Sequence, residues 1–217
     1  MILDEENSRH AISVLRMKKG DELLLTDGRG KKAKATINSD HKKACTVLPG
    51  PIESSAPPVR SVTIAISLLK NASRFEWFLE KATEIGVREI IPLMCERTER
   101  EKFRQDRMEG ILISAMLQSQ QSWLPLLHKP SSFEQVIQNA TQQTKLVAHC
   151  EDSGKTPLSS ILPNSSSDRI MLIGPEGDFT HREIEQAKEQ GFQPVSLGNT
   201  RLRTETAGMV AAALLCL

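Results

Sequence analysis

Two kinds of hydrophobic patterning divide the chain near residue 58. Before that point, short apolar strands are separated by turns, and we predict strands over Glu22–Thr26, Lys32–Ile37 and Lys43–Leu48. Lys32–Ile37 alternates polar and apolar residues, which is typical of a strand with one face in water. The pattern predicts a small β-barrel or β-sandwich over residues 1–58. Pro49–Pro58, rich in proline and serine, is the predicted linker.

From residue 59 onward, near-continuous apolar strands alternate with amphipathic helices. The predicted strands are Val62–Leu69, Val87–Met94, Leu146–Cys150, Ile170–Gly174 and Gln193–Leu197. The predicted helices are one beginning at Ser73 and ending at Gly86, Glu101–Gln121, Phe133–Asn139, one between Thr180 and Gly191, and one from about Glu205 to Leu217. Most of Ser153–Ser167 is expected to be loop. Strands alternating with helices indicate an α/β domain with a mostly parallel sheet over residues 59–217.

Local sequence also predicts how the helices begin. Ser73 with Glu76, and Thr180 with Glu183, have the spacing of a capping box. Thr204 is expected to cap the last helix. That helix carries small and apolar residues on every side, so it is expected to be buried all round, partly by a second copy of the chain.

Composition and charge narrow the function classes. Hydrophobic residues are 39% and charged residues 25% of the 217 positions, as in ordinary globular proteins. No apolar run approaches the roughly 20 residues of a membrane span, and no signal peptide is predicted, so we expect a cytoplasmic protein. Between Arg9 and Lys43, ten Lys or Arg stand against four Asp or Glu, a net charge of +6. This favours a polyanionic partner, although a solvated lysine-rich face gives the same pattern.

Several common catalytic patterns are missing from the sequence. Cys45, Cys95, Cys150 and Cys216 are scattered, which predicts buried free thiols in a reducing compartment rather than a zinc or redox site. The five histidines are isolated in sequence, so each is interpreted as a surface or internally satisfied residue, and no metal is expected. Neither a dinucleotide fingerprint nor a P-loop occurs. Aromatic residues are only 4%, which is unfavourable for stacking single-stranded RNA.

Two loops near the end of the chain are the candidate ligand site. The first follows a strand in IMLIGPEGDF (Ile170–Phe179), and the second follows a strand in SLGNTRLRTETAG (Ser196–Gly208). Loops at the carboxyl ends of parallel strands are where open α/β sheets bind ligands. The glycines of Gly174–Gly177 would let a ligand lie against bare backbone, although a tight strand-to-helix turn accounts for them equally.

Arg203 is placed against local electrostatics. It lies just before the positive end of a helix, where a cation is unfavourable, whereas Glu205 in the first turn is favourable. A residue placed against local preference suggests an anionic partner or negative charge that develops during a reaction.

Together these strings resemble the RsmE family of the SPOUT superfamily of S-adenosylmethionine-dependent RNA methyltransferases. The ordered matches are H-x-x-x-V-L-R-M-x-x-G-D at His10–Asp21, EKATEIGV at Glu80–Val87, Pro92, Glu96-Arg97, LIGPEG at Leu172–Gly177 and LRTETA at Leu202–Ala207. The resemblance implies methylation of N3 of a uridine in 16S ribosomal RNA of the small subunit. It also implies an α/β domain with a deep trefoil knot, an N-terminal PUA-like β-barrel that binds RNA, and a homodimer.

The resemblance also implies roles for individual residues. The methyl donor, S-adenosylmethionine, would be bound by Gly174, Pro175, Glu176, Gly177, Leu197, Gly198, Leu202, Arg203, Glu205 and Thr206, with the end of the Leu146–Glu151 strand as a further wall. Arg203 would stabilise negative charge on the uridine, and Glu205 would hold Arg203 or the substrate, or be only a first-turn acid. RNA phosphates would be bound by Arg9, His10, Arg16, Lys18 and Lys19.

Two departures and two alternatives stay open. The family usually carries arginines after a Gln-Ser pair, but here Gln118-Ser119 is followed by Gln120–Trp123 without arginine. Its L-G-P-R-I-L-R string reads LGNTRLR, which moves the first arginine to Arg201. The alternative functions are methylation of a different RNA nucleotide, and RNA binding in ribosome assembly without catalysis.

Overall fold

The computed structural model describes residues 1–99, 102–151, 154–162 and 167–217. These residues form two compact units, Met1–Pro57 and Pro58–Leu217. No helix among the described residues is both long enough and apolar enough to cross a membrane.

The first unit is built on a three-stranded antiparallel sheet. Its elements are helix α1 (Glu5–Arg9), a π-helical turn (His10–Val14) and strands β1 (Glu22–Thr26), β2 (Lys31–Ser39) and β3 (Thr46–Ser54). The strand order is β1-β2-β3, and both pairs are antiparallel. Ala35 and Ile37 of β2 pack with Cys45 and Val47 in the core. The alternation predicted for this strand is confirmed, with polar residues of β2 in water between the buried ones.

The predicted linker Pro49–Pro58 is wrong in its first half. Residues 49–54 belong to β3, which pairs with β2 through an irregular register between Ala33 and Ala35. Proline cannot donate a hydrogen bond to a strand ladder, but β3 lies at the edge of this sheet and its register is interrupted there. An edge or a bulge is where a sheet tolerates proline.

The second unit alternates strands and helices around one sheet. Its elements are β4 (Ser61–Ser67), α2 (Ala72–Ile85), β5 (Glu89–Met94), α3 (Gln105–Gln118), β6 (Leu126–Leu127), β7 (Ser131–Ser132), α4 (Phe133–Asn139), β8 (Thr144–Ala148), β9 (Thr156–Pro157), α5 (Leu158–Ile161), β10 (Asp168–Ile173), α6 (His181–Glu189), β11 (Gln193–Ser196) and α7 (Thr204–Cys216). Every described strand pair of this unit is parallel, in the order β6-β5-β4-β10-β8-β11-β9, with β7 beside β5. The predicted α/β architecture with a parallel sheet is confirmed.

Both faces of the sheet are covered, which is why its strands read as continuous apolar runs. Val62, Ile64 and Ile66 of β4 pack in a core cluster with α2, α3 and α7. Ala65 of the same strand packs on the other face with α4 and α6.

Two predicted segments reach beyond the described residues. The loop predicted over Ser153–Ser167 contains β9 and α5 in its described part, while residues 153 and 163–166 lie outside it. The helix predicted over Glu101–Gln121 corresponds to α3, which begins at Gln105 and ends at Gln118. Glu101 itself lies outside the described residues.

The first predicted capping box is wrong and the second is confirmed. Asn71, rather than Ser73, caps α2 by accepting a hydrogen bond from the Ser73 N–H at 2.9 Å. Glu76 instead binds Arg107 of α3, with N–O distances of 2.6 and 2.8 Å. Thr180 and Glu183 form the reciprocal pair that begins α6.

Helix α7 buries one face rather than all of its surface. Its buried residues are Thr204, Glu205, Gly208, Ala211, Ala212 and Leu215. Leu214 is 36% exposed. Burial all round, with part of the cover from a second copy, therefore stays a prediction. Close packing fixes the buried face, because a Cβ at Gly208 would lie 2.8 Å from both Ile66 and Phe78.

Candidate active site

A cavity of about 740 Å³ lies at the carboxyl ends of three adjacent parallel strands. In the sheet, Ala148 of β8 is aligned with Ile173 of β10 on one side and with Val195 of β11 on the other. The loops that follow these residues, together with the first turn of α7 and Arg74 of α2, line the cavity. The two loops predicted as a ligand site therefore open into one cavity.

The first loop, Gly174–Gly177, is fixed from two directions. A Cβ at Gly174 would lie 3.0 Å from the Phe179 ring and 3.1 Å from its backbone nitrogen, so glycine lets the chain fold back here. Glu176 accepts a hydrogen bond from the Lys70 N–H at 3.1 Å. Arg97 donates a hydrogen bond to the Gly177 carbonyl at 2.8 Å. Gly174, Pro175 and Glu176 line the cavity, whereas Gly177 does not.

The second loop contributes Leu197, Gly198, Leu202 and Arg203 to the cavity wall. Gly198 has φ +146°, a conformation that other residues rarely adopt. Arg201, whose role the sequence left open, lines the same cavity.

Arg203, rather than Thr204, is the residue at the N-cap of α7. Its backbone is extended, and its exposed side chain makes no capping hydrogen bond with the described residues. Thr204 is already helical and buried. The predicted cap is therefore wrong. The side chain of Arg203 lines the cavity and does not cap the helix.

Glu205 pairs with Arg74, a residue that the sequence did not single out. Its side chain is buried, with Oε1 3.6 Å from Nε of Arg74. Its other oxygen has no hydrogen-bond partner among the described residues. Arg74 extends from the start of α2 to the cavity wall. Glu205 and Thr206 do not line the cavity themselves, whereas Arg74, the partner of Glu205, does.

His149 is the second residue that sequence reasoning missed. It follows β8, lines the cavity and is only 8% exposed. Neither ring nitrogen has a hydrogen-bond partner among the described residues. Burial, with a smaller contribution from nearby Lys155, lowers the pKa of His149 below the ordinary histidine value. The interpretation of this histidine as a surface or satisfied residue is wrong.

The cysteines differ from the prediction at one position. Cys45 is buried and Cys95 and Cys216 are partly buried, but Cys150 is exposed. Cys150 lies beyond the end of β8, in the loop that lines the cavity, where its N–H donates to Asp178 at 2.8 Å. Among the described residues no three His, Cys, Asp or Glu side chains are placed to hold a metal ion.

The predicted basic strip lies in the first unit, around the π-helical turn. Arg9 ends α1 and His10 begins the turn, while Arg16, Lys18 and Lys19 follow it. All five side chains are exposed. Arg16 has φ 58°, and the Lys18 N–H donates to Asp21 at 2.7 Å, so a tight turn orders the backbone that carries these cations.

Family models match both units. Residues 55–216 match an RNA methyltransferase domain, and residues 3–49 match an RNA methyltransferase PUA domain. A protein of Synechocystis sp. named ribosomal RNA small subunit methyltransferase E is 35% identical over 92% of this chain and 67% of its own length.

Solved structures of rRNA methyltransferases are also similar to this chain. A probable rRNA methyltransferase from Porphyromonas gingivalis has a TM-score of 0.89 and 41% identity, covering 97% of this chain and 90% of that one. A ribosomal RNA small subunit methyltransferase E from Neisseria gonorrhoeae, solved with S-adenosylmethionine, has a TM-score of 0.87 and 28% identity, covering 98% and 89% of the two chains.

Proposed function

The chain belongs to the RNA methyltransferase family whose members are called ribosomal RNA small subunit methyltransferase E, and from this premise we propose that it methylates N3 of one uridine in 16S ribosomal RNA. The predicted family is thereby confirmed. S-adenosylmethionine is the proposed methyl donor. The observation that carries the proposal is the cavity where Gly174–Glu176, Leu197–Arg203 and His149 converge.

The residues of the cavity fit this donor. Ala148 and Leu197 supply apolar contacts for a flat nucleoside ring. Arg74 and Arg201 can bind a carboxylate, while Glu176 and Asp178 can balance an ammonium group and a sulfonium. The unpartnered imidazole of His149 offers hydrogen bonds that nothing in the described protein uses. Bound there, S-adenosylmethionine would supply an electrophilic methyl group.

Arg203 carries the main catalytic role in this proposal. Uridine N3 would give up its proton to water, which would leave negative charge spread over O2, N3 and O4 of the base. The N3 electron pair would then form the bond to the methyl carbon, and the electron pair of the carbon–sulfur bond would leave with the rest of the donor as a neutral thioether. A guanidinium held at the cavity rim stabilises that charge. The protein's other contribution is to hold N3 in line with the methyl group. Glu205 keeps Arg74 at the wall as a positioning residue.

The two units take separate parts in the same reaction. Residues 1–58 form a PUA-like β-barrel that binds RNA through the basic strip, and residues 59–217 carry methyl transfer. The path of the chain after β11 supports a deep trefoil knot. It passes β8 in the sheet order, and α7 then packs on α2, β10 and β4. The exposed apolar side of α7 favours a homodimer. A cytoplasmic location follows from the proposed substrate.

Transfer of a labelled methyl group tests this function in vitro. Purified protein is mixed with labelled donor and with small-subunit RNA, either free or in subunits, from a strain lacking the gene. We expect label in a single uridine, at N3. Label in another nucleotide would assign different chemistry, and RNA binding with no donor binding would identify a non-catalytic assembly protein.

The basic strip predicts a specific salt dependence. Replacing Lys18 and Lys19 by alanine should weaken RNA binding and reduce the slope of log affinity against log salt by about 0.7 per lost phosphate contact on single-stranded RNA. Filter binding over a salt series measures this slope. The matched control replaces Lys129 and Lys145 in the second unit. Equal slopes for both double variants would remove the strip from the RNA interface.

A further inference from the structure

His149 lines the cavity with polar side-chain atoms that are buried and unpartnered among the described residues. The alignment of the strands explains its position. Ala148, Ile173 and Val195 are aligned at the carboxyl ends of their strands, and His149 is the first residue after β8, where it lines the cavity. Burying two ring nitrogens without hydrogen-bond partners destabilises the folded protein, unless a ligand or water forms those hydrogen bonds.

We infer that His149, as a neutral imidazole, hydrogen-bonds the nucleoside part of the methyl donor and so sets donor affinity. This inference rests on the proposed function. A neutral imidazole has one donor and one acceptor nitrogen. Ribose hydroxyls and the adenine edge also both donate and accept, whereas the carboxylate of the donor only accepts and its ammonium only donates.

The other residues of the cavity also favour a nucleoside beside His149 and the amino-acid part of the donor elsewhere. Ala148 and Leu197, which also line the cavity, are apolar and partly exposed, which suits a nucleoside. The charged side chains suited to the amino-acid part, Arg74, Arg201 and Glu176, come from other elements of the wall. A cationic imidazole would also repel the sulfonium of the donor.

Burial keeps His149 in the form that the ligand requires. The charged groups that act on it are Lys155 and Lys188, which lower its pKa, and Asp178 and Glu151, which raise it; Glu185 of α6 also interacts with it. The balance lowers the pKa of His149. Donor affinity should therefore be constant above the ordinary histidine pKa and fall only as the pH drops through the lower pKa of His149.

Calorimetry with S-adenosylmethionine and S-adenosylhomocysteine tests the inference, because the two ligands share the nucleoside but only the first has a sulfonium. At about pH 8, His149→Phe should weaken both ligands by roughly tenfold, the effect of one lost hydrogen bond. His149→Asn should restore part of the affinity. In the wild type, affinity for S-adenosylmethionine should stay constant from about pH 8 down to the ordinary histidine pKa and fall only below it, and His149→Phe should remove that fall.

The matched control is His181→Phe, because His181 is exposed and pairs with Glu151 at 3.2 Å, outside the cavity. Its donor affinity should stay at the wild-type value. Unchanged affinity in folded His149→Phe and His149→Asn would overturn the inference while leaving the proposed function intact. Weakening of S-adenosylmethionine alone would assign His149 to the sulfonium instead and also overturn it. A wild type that binds neither ligand would overturn both proposals.

Discussion

Replacing Arg203 by alanine is expected to lower the rate of methyl transfer by about a hundredfold or more while leaving donor affinity nearly unchanged. The removed guanidinium acts on charge that develops on uridine during the reaction, and loss of one such group typically costs this much. Single-turnover transfer of label, with calorimetry of donor binding beside it, separates the two quantities. Arg203→Lys should retain part of the rate, because it keeps the charge but loses the planar fork.

Arg104 provides a matched control for this variant. Like Arg203, it is an exposed arginine at the N-cap of a helix, α3, and its side chain makes no capping hydrogen bond with the described residues. Arg104→Ala should leave the rate unchanged. A rate for Arg203→Ala within a few-fold of the wild type would remove Arg203 from the mechanism.

Replacing Gly208 by alanine is expected to lower the free energy of unfolding by about 1–3 kcal/mol, which is the usual effect of overpacking a core. The new methyl group would lie 2.8 Å from Ile66 and Phe78, and both side chains are fully buried. Because Arg203 is the N-cap of α7, a shift of this helix should also disturb the cavity. Denaturant unfolding followed by circular dichroism measures the change.

Gly110→Ala is the control, and its expected effect has the opposite sign. Gly110 is also inside a helix, but among the described residues nothing lies within 4 Å of the position that a methyl group would take there. Alanine is favoured over glycine in a helix by up to about 1 kcal/mol, so Gly110→Ala should stabilise the protein. Equal effects at the two glycines would mean that the packing of α7 against β4 and α2 is not tight.

Local features were predictable from the sequence where neighbouring residues decide them. The capping box of Thr180 and Glu183 is such a case, because each satisfies the other within one turn. Asn71 and Ser73 are both good capping residues two positions apart, so sequence alone does not choose between them. The choice involves Glu76, which binds Arg107 from another helix, a contact across 31 positions of the chain.

The candidate site was predictable only where its residues belong to continuous motifs. Gly174–Glu176 and Leu197–Arg203 were found because each string is unusual by itself. His149 and Arg74 were missed, because their places in the cavity wall depend on β8 lying between β10 and β11 and on α2 reaching the first turn of α7. Strand order is set by tertiary packing, and no periodicity along the chain reports it.

One methyl group on N3 of one uridine in small-subunit ribosomal RNA is the product that we assign to this chain. Mass spectrometry of nucleosides and RNA fragments from a strain lacking the gene tests the assignment most directly. We predict that a single N3-methyluridine disappears from 16S RNA, returns with the intact gene, and does not return with the Arg203→Ala variant. Retention of that nucleoside in the deletion strain, or loss of a different modification, would contradict the account.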